Sequence, residues 1–296
     1  MAIPEKVTLV EVGPRDGFQL EPKIIPTDLK LEMITRLAAS GLKYIQVASF
    51  VNPRRVPQMA DADDLVRRLP QMPSVTFFGL ALNAVGVERA WLSGLKCIEV
   101  SISASDAHSR RNAGLSYASA LREGENMASI AAAAGMTVTA SVQCAFGCVF
   151  EGEISMSRVL DAARMFTAAG VARLTLADTT GMGTPPAVER MLREFDTANL
   201  DLPVGLHLHD TRGLGLVNAA VGLRCGVSFF DTALGGMGGC PFVPGAAGNI
   251  ATEDTAYLMS AMGVETGVDW KAVASCTRRL SAFLGRDLPG KLYRMA

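Results

Sequence analysis

The residues best suited to chemistry are two histidines that are separated by one residue in a leucine-containing run late in the chain. His207 and His209 are two of only three histidines among 296 residues. If this run is a β-strand, alternate side chains point to the same face, and both imidazoles point the same way. Such a pair can bind a divalent metal ion, and it can equally be held by hydrogen bonds to backbone carbonyl groups. The spacing alone leaves both interpretations open.

Two further polar residues follow other apolar runs and could complete a metal site. Asp16 follows the first run of the chain, and Asn249 lies in the glycine-rich loop after the last. Two nitrogens, a carboxylate and an amide oxygen, completed by waters, suit Mg²⁺ or Mn²⁺ better than tetrahedral zinc. We therefore predict that a divalent cation, Mg²⁺ or Mn²⁺, binds to Asp16, His207, His209 and Asn249, provided that the fold brings these segments together.

Two other charged residues stand at the ends of apolar runs. Arg15 directly precedes Asp16, and a guanidinium group beside a metal ligand can stabilise a substrate anion or an enolate. A salt bridge to a neighbouring carboxylate is the alternative for Arg15. Asp178 ends a third apolar run, and we predict that it assists catalysis as a hydrogen-bond partner of the metal-binding histidines.

The loop that contains Asn249 also carries a cysteine directly after a pair of glycines, in the sequence Gly238-Gly239-Cys240-Pro241. A free cysteine is most often a small buried apolar side chain. The neighbouring glycines instead favour a mobile lid that covers a catalytic site. We predict that Cys240 belongs to such a lid.

Two adjacent arginines follow the fourth apolar run. Arg110, Arg111 and Asn112 can form an ordinary solvated loop, or they can hold the phosphates of a cofactor or substrate. The motif is weak by itself.

Apolar runs alternate with helix-length segments along the whole chain, which predicts eight strand–helix units of the α/β class. The predicted strands span Val7–Val12, Tyr44–Ser49, Thr76–Ala81, Lys96–Ser103, Thr137–Cys144, Arg173–Ala177, Val204–His209 and Ser228–Ala233. Strict alternation indicates a parallel sheet, and eight units predict a closed (β/α)₈ TIM barrel with its chemistry at the carboxyl ends of the strands. A doubly wound sheet is the alternative, but no GxGxxG motif follows the first strand. We expect one catalytic domain over residues 1–296, with an added helix near residues 269–284.

The composition excludes several classes of protein. Hydrophobic residues make up 49% of the chain and charged residues 19%, which argues against disorder. The net charge of −1 gives no electrostatic footprint for nucleic acid. The uncharged stretches are too polar or too rich in glycine to span a membrane, and the first residues resemble neither a signal peptide nor a transit peptide. Six scattered cysteines are typical of reduced thiols in a cytoplasmic enzyme.

The motifs together resemble the 3-hydroxy-3-methylglutaryl-CoA lyases, which are metal-dependent TIM-barrel enzymes. The resemblance extends from about Val7 to Gly267. The matching blocks are Val10–Gly17, Ser49–Pro53, Val56–Met59, Cys144–Cys148, Glu151–Gly152, Asp178–Gly181, Gly183–Pro185, His207–Thr211, Gly238–Pro241, Gly248–Asn249 and Ala251–Asp254. The Gly-Gly-Cys-Pro block separates these lyases from the isopropylmalate and homocitrate synthases, so it is specific.

The resemblance implies a retro-Claisen cleavage of a 3-hydroxyacyl-CoA, with a divalent ion as cofactor and the CoA moiety as part of the substrate. It implies that the four predicted ligands hold the ion and that Arg15 neutralises the thioester enolate. It implies proton transfer by His207 and Cys240 and contacts of Arg110, Arg111 and Asn112 with the CoA phosphates. We also expect a homo-oligomer, a dimer, without nucleic-acid or membrane partners.

The chain departs from the resembled family near the predicted active site. The family glutamate after the start of the second strand is Gln46 here, which removes a negative charge, and Phe18 and Leu20 replace a leucine and an amide. We expect Gln46 and Ser49 to contact the substrate, although strict alternation would place them on opposite faces of the strand.

These departures leave three functions open besides cleavage of 3-hydroxy-3-methylglutaryl-CoA to acetyl-CoA and acetoacetate. The first is the same cleavage of another 3-hydroxyacyl-CoA, such as citramalyl-CoA, which gives acetyl-CoA and pyruvate. The second is a synthase that runs the condensation forwards. The third is a barrel that binds CoA esters without catalysis.

Overall fold

The computed structural model describes residues 3–239, 243 and 247–295. Eight parallel strands of this part of the chain close into a barrel in sequence order, and the last strand pairs with the first. The strands are Thr8–Glu11 (β1), Tyr44–Ser49 (β2), Thr76–Ala81 (β3), Cys97–Ser103 (β4), Thr137–Gln143 (β5), Leu174–Ala177 (β6), Val204–His207 (β7) and Phe229–Thr232 (β8). The predicted TIM barrel is confirmed, and closure rules out the doubly wound sheet.

Helices surround the barrel, and their inward faces cover the apolar outer side of the sheet. They are Thr27–Ala39 (α1), Ala62–Arg67 (α2), Ala84–Ser93 (α3), Asp106–Ala113 (α4), Tyr117–Ala133 (α5), Met156–Ala168 (α6), Pro185–Ala198 (α7), Gly215–Arg224 (α8), Thr252–Ala261 (α9) and Trp270–Leu284 (α10). The added helix predicted near residues 269–284 is α10, which packs against α1 and α9. Asp269 caps it, because its side chain accepts hydrogen bonds from the backbone N–H groups of Lys271 and Ala272.

One helix, α4, is absent from the sequence-based prediction, which placed Arg110, Arg111 and Asn112 in a loop. The segment is hydrophilic and lacks the apolar periodicity that predicts a helix. Its stability comes from local hydrogen bonds instead. The Ser105 hydroxyl accepts from the backbone N–H of His108 at 3.0 Å and so caps the helix, as serine commonly does.

The chain passes from helix to strand through glycines with positive φ at several positions. Gly41, after α1, has a φ of 99°, which favours glycine. A Cβ atom at this position would lie only 2.1 Å from the carbonyl oxygen of Gly267. The end of this helix therefore depends on both a backbone conformation that favours glycine and a close backbone contact.

A buried carboxyl group at the end of β1 joins three parts of the barrel. Glu11 is fully buried and accepts hydrogen bonds from the backbone N–H groups of Gly13 and Leu234, at 2.8 and 3.0 Å. It also accepts a hydrogen bond from the Thr252 hydroxyl at 2.7 Å. Glu11 thus connects the loop after β1 with the loop after β8 and the start of α9. Both loops carry predicted site residues.

We expect the protein to lose stability as the pH rises from about 5 to about 8. Burial raises the pKa of Glu11 from 4.5 to about 7, although its hydrogen bonds lower it. In this range the folded state keeps a proton that the unfolded state has released, so the contribution is fully present at low pH and is lost as the pH passes the folded pKa. The slope should reach at most about 1.4 kcal/mol per pH unit for this group.

Urea unfolding of the wild type and of Glu11→Gln at several pH values would measure this effect. The variant should have a shallower slope, although not a flat one, because burial also raises the pKa of Glu253 to about 7. Glu265→Gln is the control. Its carboxyl group is exposed and paired with Lys6, which lowers its pKa, so it stays ionised in both states above about pH 6. Equal slopes for all three proteins would contradict the prediction.

None of the helices in the described part of the chain combines the length and the apolarity needed to cross a bilayer.

Candidate active site

A cavity of about 130 Å³ opens at the carboxyl ends of the strands, where a TIM barrel carries its active site. One part of its wall comes from the segments at the ends of β1 and β7, with Arg15, Asp16, His207 and His209. The opposite part comes from β4, β5 and β6. Closure of the barrel brings β1, β7 and β8 together, as the predicted metal site requires.

The two histidines and the aspartate form a compact cluster. Nε2 of His207 lies 3.1 Å from Nε2 of His209. One atom of each of the three side chains, Asp16 included, lies within 4.8 Å of the others. Both imidazoles are buried. His207 ends β7, and the backbone of His209 forms an isolated β-bridge with Asn249 in the loop after β8. The structure therefore brings the predicted ligands together.

Asn249 shows that the cluster fits a divalent cation. Its amide nitrogen donates to Oδ2 of Asp16 at 2.6 Å and to the carbonyl oxygen of Met237 at 2.9 Å. Its amide oxygen is buried and has no hydrogen-bond partner. A buried acceptor without a partner costs free energy, and a cation beside two facing ring nitrogens would satisfy it. The donor set of two imidazoles, a carboxylate and an amide oxygen suits Mg²⁺ or Mn²⁺.

The charges of the cluster support the same interpretation. Burial opposes ionisation of Asp16, but the charges of Arg15, His207 and His209 outweigh it and lower the pKa of the carboxyl group. Burial, reinforced by the neighbouring His207, lowers the pKa of His209 to about 4. A carboxylate and a neutral imidazole are the forms that bind metal ions.

The carboxylate that contacts the histidines is Asp231, and the predicted contact of Asp178 with them is wrong. Oδ2 of Asp231, on β8, lies 3.2 Å from Nδ1 of His207. This contact orients the ring so that Nε2 faces His209. Asp178 instead accepts hydrogen bonds through Oδ1 from the backbone N–H groups of Met182 and Gly183. It therefore shapes the loop between β6 and α7, and its Oδ2 is buried without a hydrogen-bond partner.

We expect Asp231→Ala to lower the affinity for Mn²⁺ by about 10- to 100-fold, the usual cost of losing a carboxylate that orients a metal-binding histidine. Titration with Mn²⁺ followed by electron paramagnetic resonance would measure the affinity. Asp178→Ala is the matched control, since it removes a buried carboxylate from a neighbouring strand end without a contact to His207. Equal losses in both variants would contradict the assignment.

Arg15 is held rigidly beside the cluster. It lies in the tight helical turn Gly13–Gly17 that follows β1, and it is 9% exposed. Nη1 donates to Oδ1 of Asp16 at 2.5 Å, and Nε donates to Oε1 of Gln46. The hydrogen bonds of the described residues leave Nη2 without a protein acceptor. The side chain thus forms the salt bridge that was the alternative interpretation and still presents one edge to the cavity.

Gln46 and Ser49 do not follow strict alternation. The pairing of β2 with β3 shifts between Gln46 and Ala48, so Val47 forms a bulge. As a result both polar side chains contact the segment after β1. Gln46 accepts from Arg15, and the Ser49 hydroxyl donates to Oε1 of Gln19 at 2.7 Å. The amide nitrogen of Gln46 is buried without a hydrogen-bond partner.

The two residues that depart from the resembled family near Asp16 lie in different surroundings. Leu20 lines the cavity, as expected. Phe18 is only 1% exposed and packs in the hydrophobic core instead. Only Leu20 can therefore contact a ligand directly.

The structure separates the three residues predicted to meet CoA phosphates. Asn112 lines the cavity, and its amide donates to Oε1 of Gln143 at 3.3 Å. Arg110 pairs with Asp106, one turn earlier on α4, and is largely exposed. The Arg111 guanidinium lies 4.1 Å from the centre of the Phe150 ring. The two arginines lie outside the cavity wall, on the helix that Asn112 anchors to it.

Cys240 lies outside the described residues. The preceding Gly239 lines the cavity, so the loop that carries Cys240 reaches the site. Gly238, with a φ of 104°, has no room for a side chain, because a Cβ atom would lie 2.4 Å from the amide nitrogen of Asn249.

Sequence reasoning missed two buried carboxyl groups of the cavity, Asp231 and Glu99, and the third histidine, His108. A signal for Glu99 was present, because Glu99, Ser101 and Ser103 place polar side chains at alternate positions of the apolar strand β4. Alternation of this kind indicates a polar barrel interior.

Comparison with known proteins shows the family to which this chain belongs. The model of the HMGL-like family matches residues 6–279. The (R)-citramalyl-CoA lyase of Chloroflexus aurantiacus is 40% identical over 295 residues, covering 96% of this chain and 93% of that protein. The mitochondrial hydroxymethylglutaryl-CoA lyase of Rattus norvegicus is 37% identical over 294 residues, covering 98% and 89%.

A solved structure is also similar to this chain over nearly its whole length. The structure of an HMG-CoA lyase from Acinetobacter baumannii in complex with coenzyme A and 3-methylmalate superposes with a TM-score of 0.93 at 34% identity, covering 99% of this chain and 96% of that one. The match of fold and sequence over nearly the whole chain shows that this protein belongs to the HMGL-like family and is a carbon–carbon lyase that acts on CoA esters.

Proposed function

We propose that the protein cleaves 3-hydroxy-3-methylglutaryl-CoA to acetyl-CoA and acetoacetate. The observation that carries this proposal is the juxtaposition of a donor set for a divalent cation with the guanidinium group of Arg15, whose Nη1 lies 2.5 Å from the carboxylate of Asp16. Retro-Claisen cleavage needs both features in one cavity, because a hydroxyl group loses a proton while negative charge develops on a thioester.

In this proposal Asp16, His207, His209 and Asn249 hold Mg²⁺ or Mn²⁺. The bound ion would polarise the 3-hydroxyl group of the substrate. The hydroxyl proton passes to a base, the oxygen forms the carbonyl group at C3, and the electron pair of the C2–C3 bond moves to C2. Protonation of the resulting thioester enolate at C2 completes acetyl-CoA.

The residues of the chain have separate roles in these steps. Nη2 of Arg15, which has no acceptor among the described residues, would donate to the enolate oxygen. We assign proton transfer to His207 and Cys240. The Asp231 carboxylate, 3.2 Å from Nδ1 of His207, would hold a proton on that nitrogen and leave Nε2 for the ion. Asn112 and Gln143 stand on the cavity wall where the substrate would enter, and Arg110 and Arg111 lie on the same helix for the CoA phosphates.

Citramalyl-CoA, which would give acetyl-CoA and pyruvate, is the second candidate substrate. Two observations favour it. The chain is 40% identical to a protein named (R)-citramalyl-CoA lyase. In addition, Gln46 contacts Arg15 as a neutral amide, so this wall carries less negative charge than a glutamate would supply.

A steady-state assay of both CoA esters, with Mg²⁺ or Mn²⁺ added back after chelation, tests the proposal. The proposal requires cleavage of 3-hydroxy-3-methylglutaryl-CoA with the larger kcat/KM and no activity in the chelated protein. A larger value for citramalyl-CoA would establish the second candidate. A protein that binds both esters and cleaves neither would be the non-catalytic barrel. Light scattering of the same sample would test the expected homodimer.

Gln46→Glu should change the preference between these substrates. The carboxylate would pair with Nε of Arg15 and add a negative charge to this wall of the cavity. We expect the ratio of kcat/KM values to shift towards 3-hydroxy-3-methylglutaryl-CoA by about tenfold, close to the effect of one charged hydrogen bond. Gln58→Glu, at an amide that donates to the carbonyl oxygen of Glu21 outside the cavity, is the matched control. An unchanged ratio in Gln46→Glu would mean that Gln46 is a neutral replacement.

A further inference from the structure

A further cavity opens at the amino ends of the barrel strands, at the end of the barrel opposite the proposed active site. Its volume is about 300 Å³, which suits a small ligand. Its wall is built from residues at or near the starts of seven strands, β2 to β8. We call it the amino-end cavity, and the proposed lyase mechanism makes no use of it.

The amino-end cavity is separate from the active-site cavity. Among the described residues, none lines both. Alternate residues of a strand point to the same face, and on β5 Thr139 lines the amino-end cavity whereas Ser141 lines the active-site cavity. Arg173, directly before β6, and Thr175 divide in the same way. The two cavities therefore lie one above the other along the barrel interior.

Arg173 is a buried cation without a partner in the amino-end cavity. The residue is only 5% exposed. Its guanidinium group has no hydrogen bond and no ion pair with any described residue, and its Nε atom is buried. A buried charge costs free energy unless a group of opposite charge and hydrogen bonds offset that cost. An anion in the cavity would supply both.

Two aromatic rings hold the guanidinium group of Arg173 in place without using its donors. Its Cζ atom lies 4.8 Å from the centre of the Phe229 ring and 5.8 Å from the centre of the Tyr44 ring. These rings meet edge to face, with their centres 6.4 Å apart. A ring face attracts a cation, but it does not replace the acceptors that the N–H groups of a guanidinium need. Arg173 is thus positioned by packing, and its donors remain available.

A second unused donor lies beside Arg173. The Thr139 hydroxyl is buried, lines the same cavity and has no hydrogen-bond partner. Strands β5 and β6 pair in a register that places Ala140 opposite Leu174, and the Ala140 N–H donates to the carbonyl oxygen of Arg173 at 2.9 Å. Thr139 and Arg173 directly precede that pair, so they are neighbours across two strands that lie about 5 Å apart.

The charges near Arg173 do not prevent it from binding an anion. No aspartate or glutamate is among the described residues that line the amino-end cavity. Burial and the charge of Asp231 raise the pKa of Glu99, and the charges of Arg15 and Arg173 oppose them. Glu99 nevertheless lines the active-site cavity and forms no ion pair with Arg173. A ligand anion would therefore meet no competing carboxylate in this cavity.

We propose that Arg173 and Thr139 bind the carboxylate group of a small organic ligand, and that the rings of Tyr44, Phe78 and Phe229 contact its apolar body. A guanidinium group matches the planar carboxylate with two parallel hydrogen bonds, and the threonine hydroxyl supplies a third donor. The aromatic wall needs an apolar partner, which a bare inorganic anion lacks. Binding at this site requires no turnover of a CoA ester.

Calorimetric titration with benzoate, a carboxylate on an aromatic ring, tests this site. Arg173→Met removes the charge and keeps an unbranched apolar side chain. We expect it to raise the dissociation constant of benzoate by about tenfold or more, as is typical for loss of a hydrogen bond to a charged group. Thr139→Val should raise it by about threefold, because a neutral donor contributes less.

Two ligands separate the halves of the proposed recognition. Benzyl alcohol has the ring without the charge, and acetate has the charge without the ring. Each should bind to the wild type at least about tenfold more weakly than benzoate. A crystal structure with 4-bromobenzoate would locate the ligand through the anomalous signal of bromine, which we expect in the amino-end cavity. Both experiments use the wild type, so they remain decisive if Arg173→Met does not fold.

Arg89→Met is the matched control. Arg89 also lies near an aromatic ring, 5.7 Å from the centre of Phe50, but it already donates to the carbonyl oxygen of Val51 and to the carboxylate of Asp63. We expect this variant to bind benzoate as tightly as the wild type. Circular dichroism would show that each variant is folded.

Several results would overturn the carboxylate site. Equal benzoate affinity in Arg173→Met and in the wild type would mean that Arg173 only packs against the aromatic rings. Benzyl alcohol or acetate that binds as tightly as benzoate would show that one half of the ligand is not recognised. Bromine density in the active-site cavity alone, or no detectable binding of benzoate to the wild type, would also contradict the proposal.

Discussion

Replacing His209 with alanine should remove the divalent ion and reduce kcat/KM by about a thousandfold or more. His209 places Nε2 3.1 Å from Nε2 of His207, inside the cluster completed by Asp16. A metal ion contributes several kcal/mol of charge stabilisation to a reaction of this kind, and about 1.4 kcal/mol corresponds to a factor of ten in rate. Mn²⁺ titration by electron paramagnetic resonance, together with the cleavage assay, would measure both effects.

His108→Ala is the matched control for this prediction. His108 is the third histidine of the chain and lines the same cavity, but its Nδ1 lies 3.1 Å from the Ser103 hydroxyl rather than near the cluster. We expect this variant to keep Mn²⁺ affinity within about twofold, because it removes no ligand atom. If His209→Ala bound Mn²⁺ as tightly as the wild type, the cluster would not be the metal site.

Arg15→Lys should lower kcat by about a hundredfold with little change in KM. The guanidinium group binds two acceptors at once, since Nε donates to Gln46 and Nη1 donates to Asp16, and Nη2 has no acceptor among the described residues. A lysine ammonium group is a point charge on a flexible stem and cannot reproduce this geometry. Removing one donor to a developing oxyanion typically costs about 10²- to 10³-fold in kcat. Steady-state kinetics with the better substrate would separate kcat from KM.

Arg89→Lys is the control for the general effect of replacing an arginine that binds two acceptors at once. Arg89 donates to the carbonyl oxygen of Val51 at 3.0 Å and to Asp63 at 2.5 Å, away from the cavity. Its replacement should leave kcat within about twofold of the wild type. A loss confined to KM in Arg15→Lys would show that Arg15 binds the substrate without stabilising the enolate.

Fold prediction succeeded where local patterns determine the outcome. Tyr44–Ser49 and Thr76–Ala81 were predicted at the bounds that the structure has for β2 and β3. Runs of β-branched and aliphatic residues, ended by polar segments and glycines, mark such strands because fully buried parallel strands need apolar side chains on both faces. Helix α4 was missed because a hydrophilic segment held by a serine cap carries no apolar periodicity.

The sequence alone was sufficient to predict the cluster of two histidines and an aspartate, because residue type and spacing mark its members. His207 and His209 are rare residues at strand spacing, and Asp16 follows a strand directly, so eight-fold closure of the barrel was enough to bring them together.

Only the tertiary structure decided which partners these residues have. Asp231 rather than Asp178 contacts His207, although both carboxylates stand near strand ends of adjacent segments. The bulge at Val47 turns Gln46 towards Arg15, and the pairing of β4, β5 and β6 places Glu99, Ser141 and Thr175 on the cavity wall. Such contacts join residues that are distant along the chain, and their geometry depends on strand register, barrel closure and competition from nearby backbone groups. Local sequence patterns contain none of these three quantities, because each arises only when the strands pack against one another.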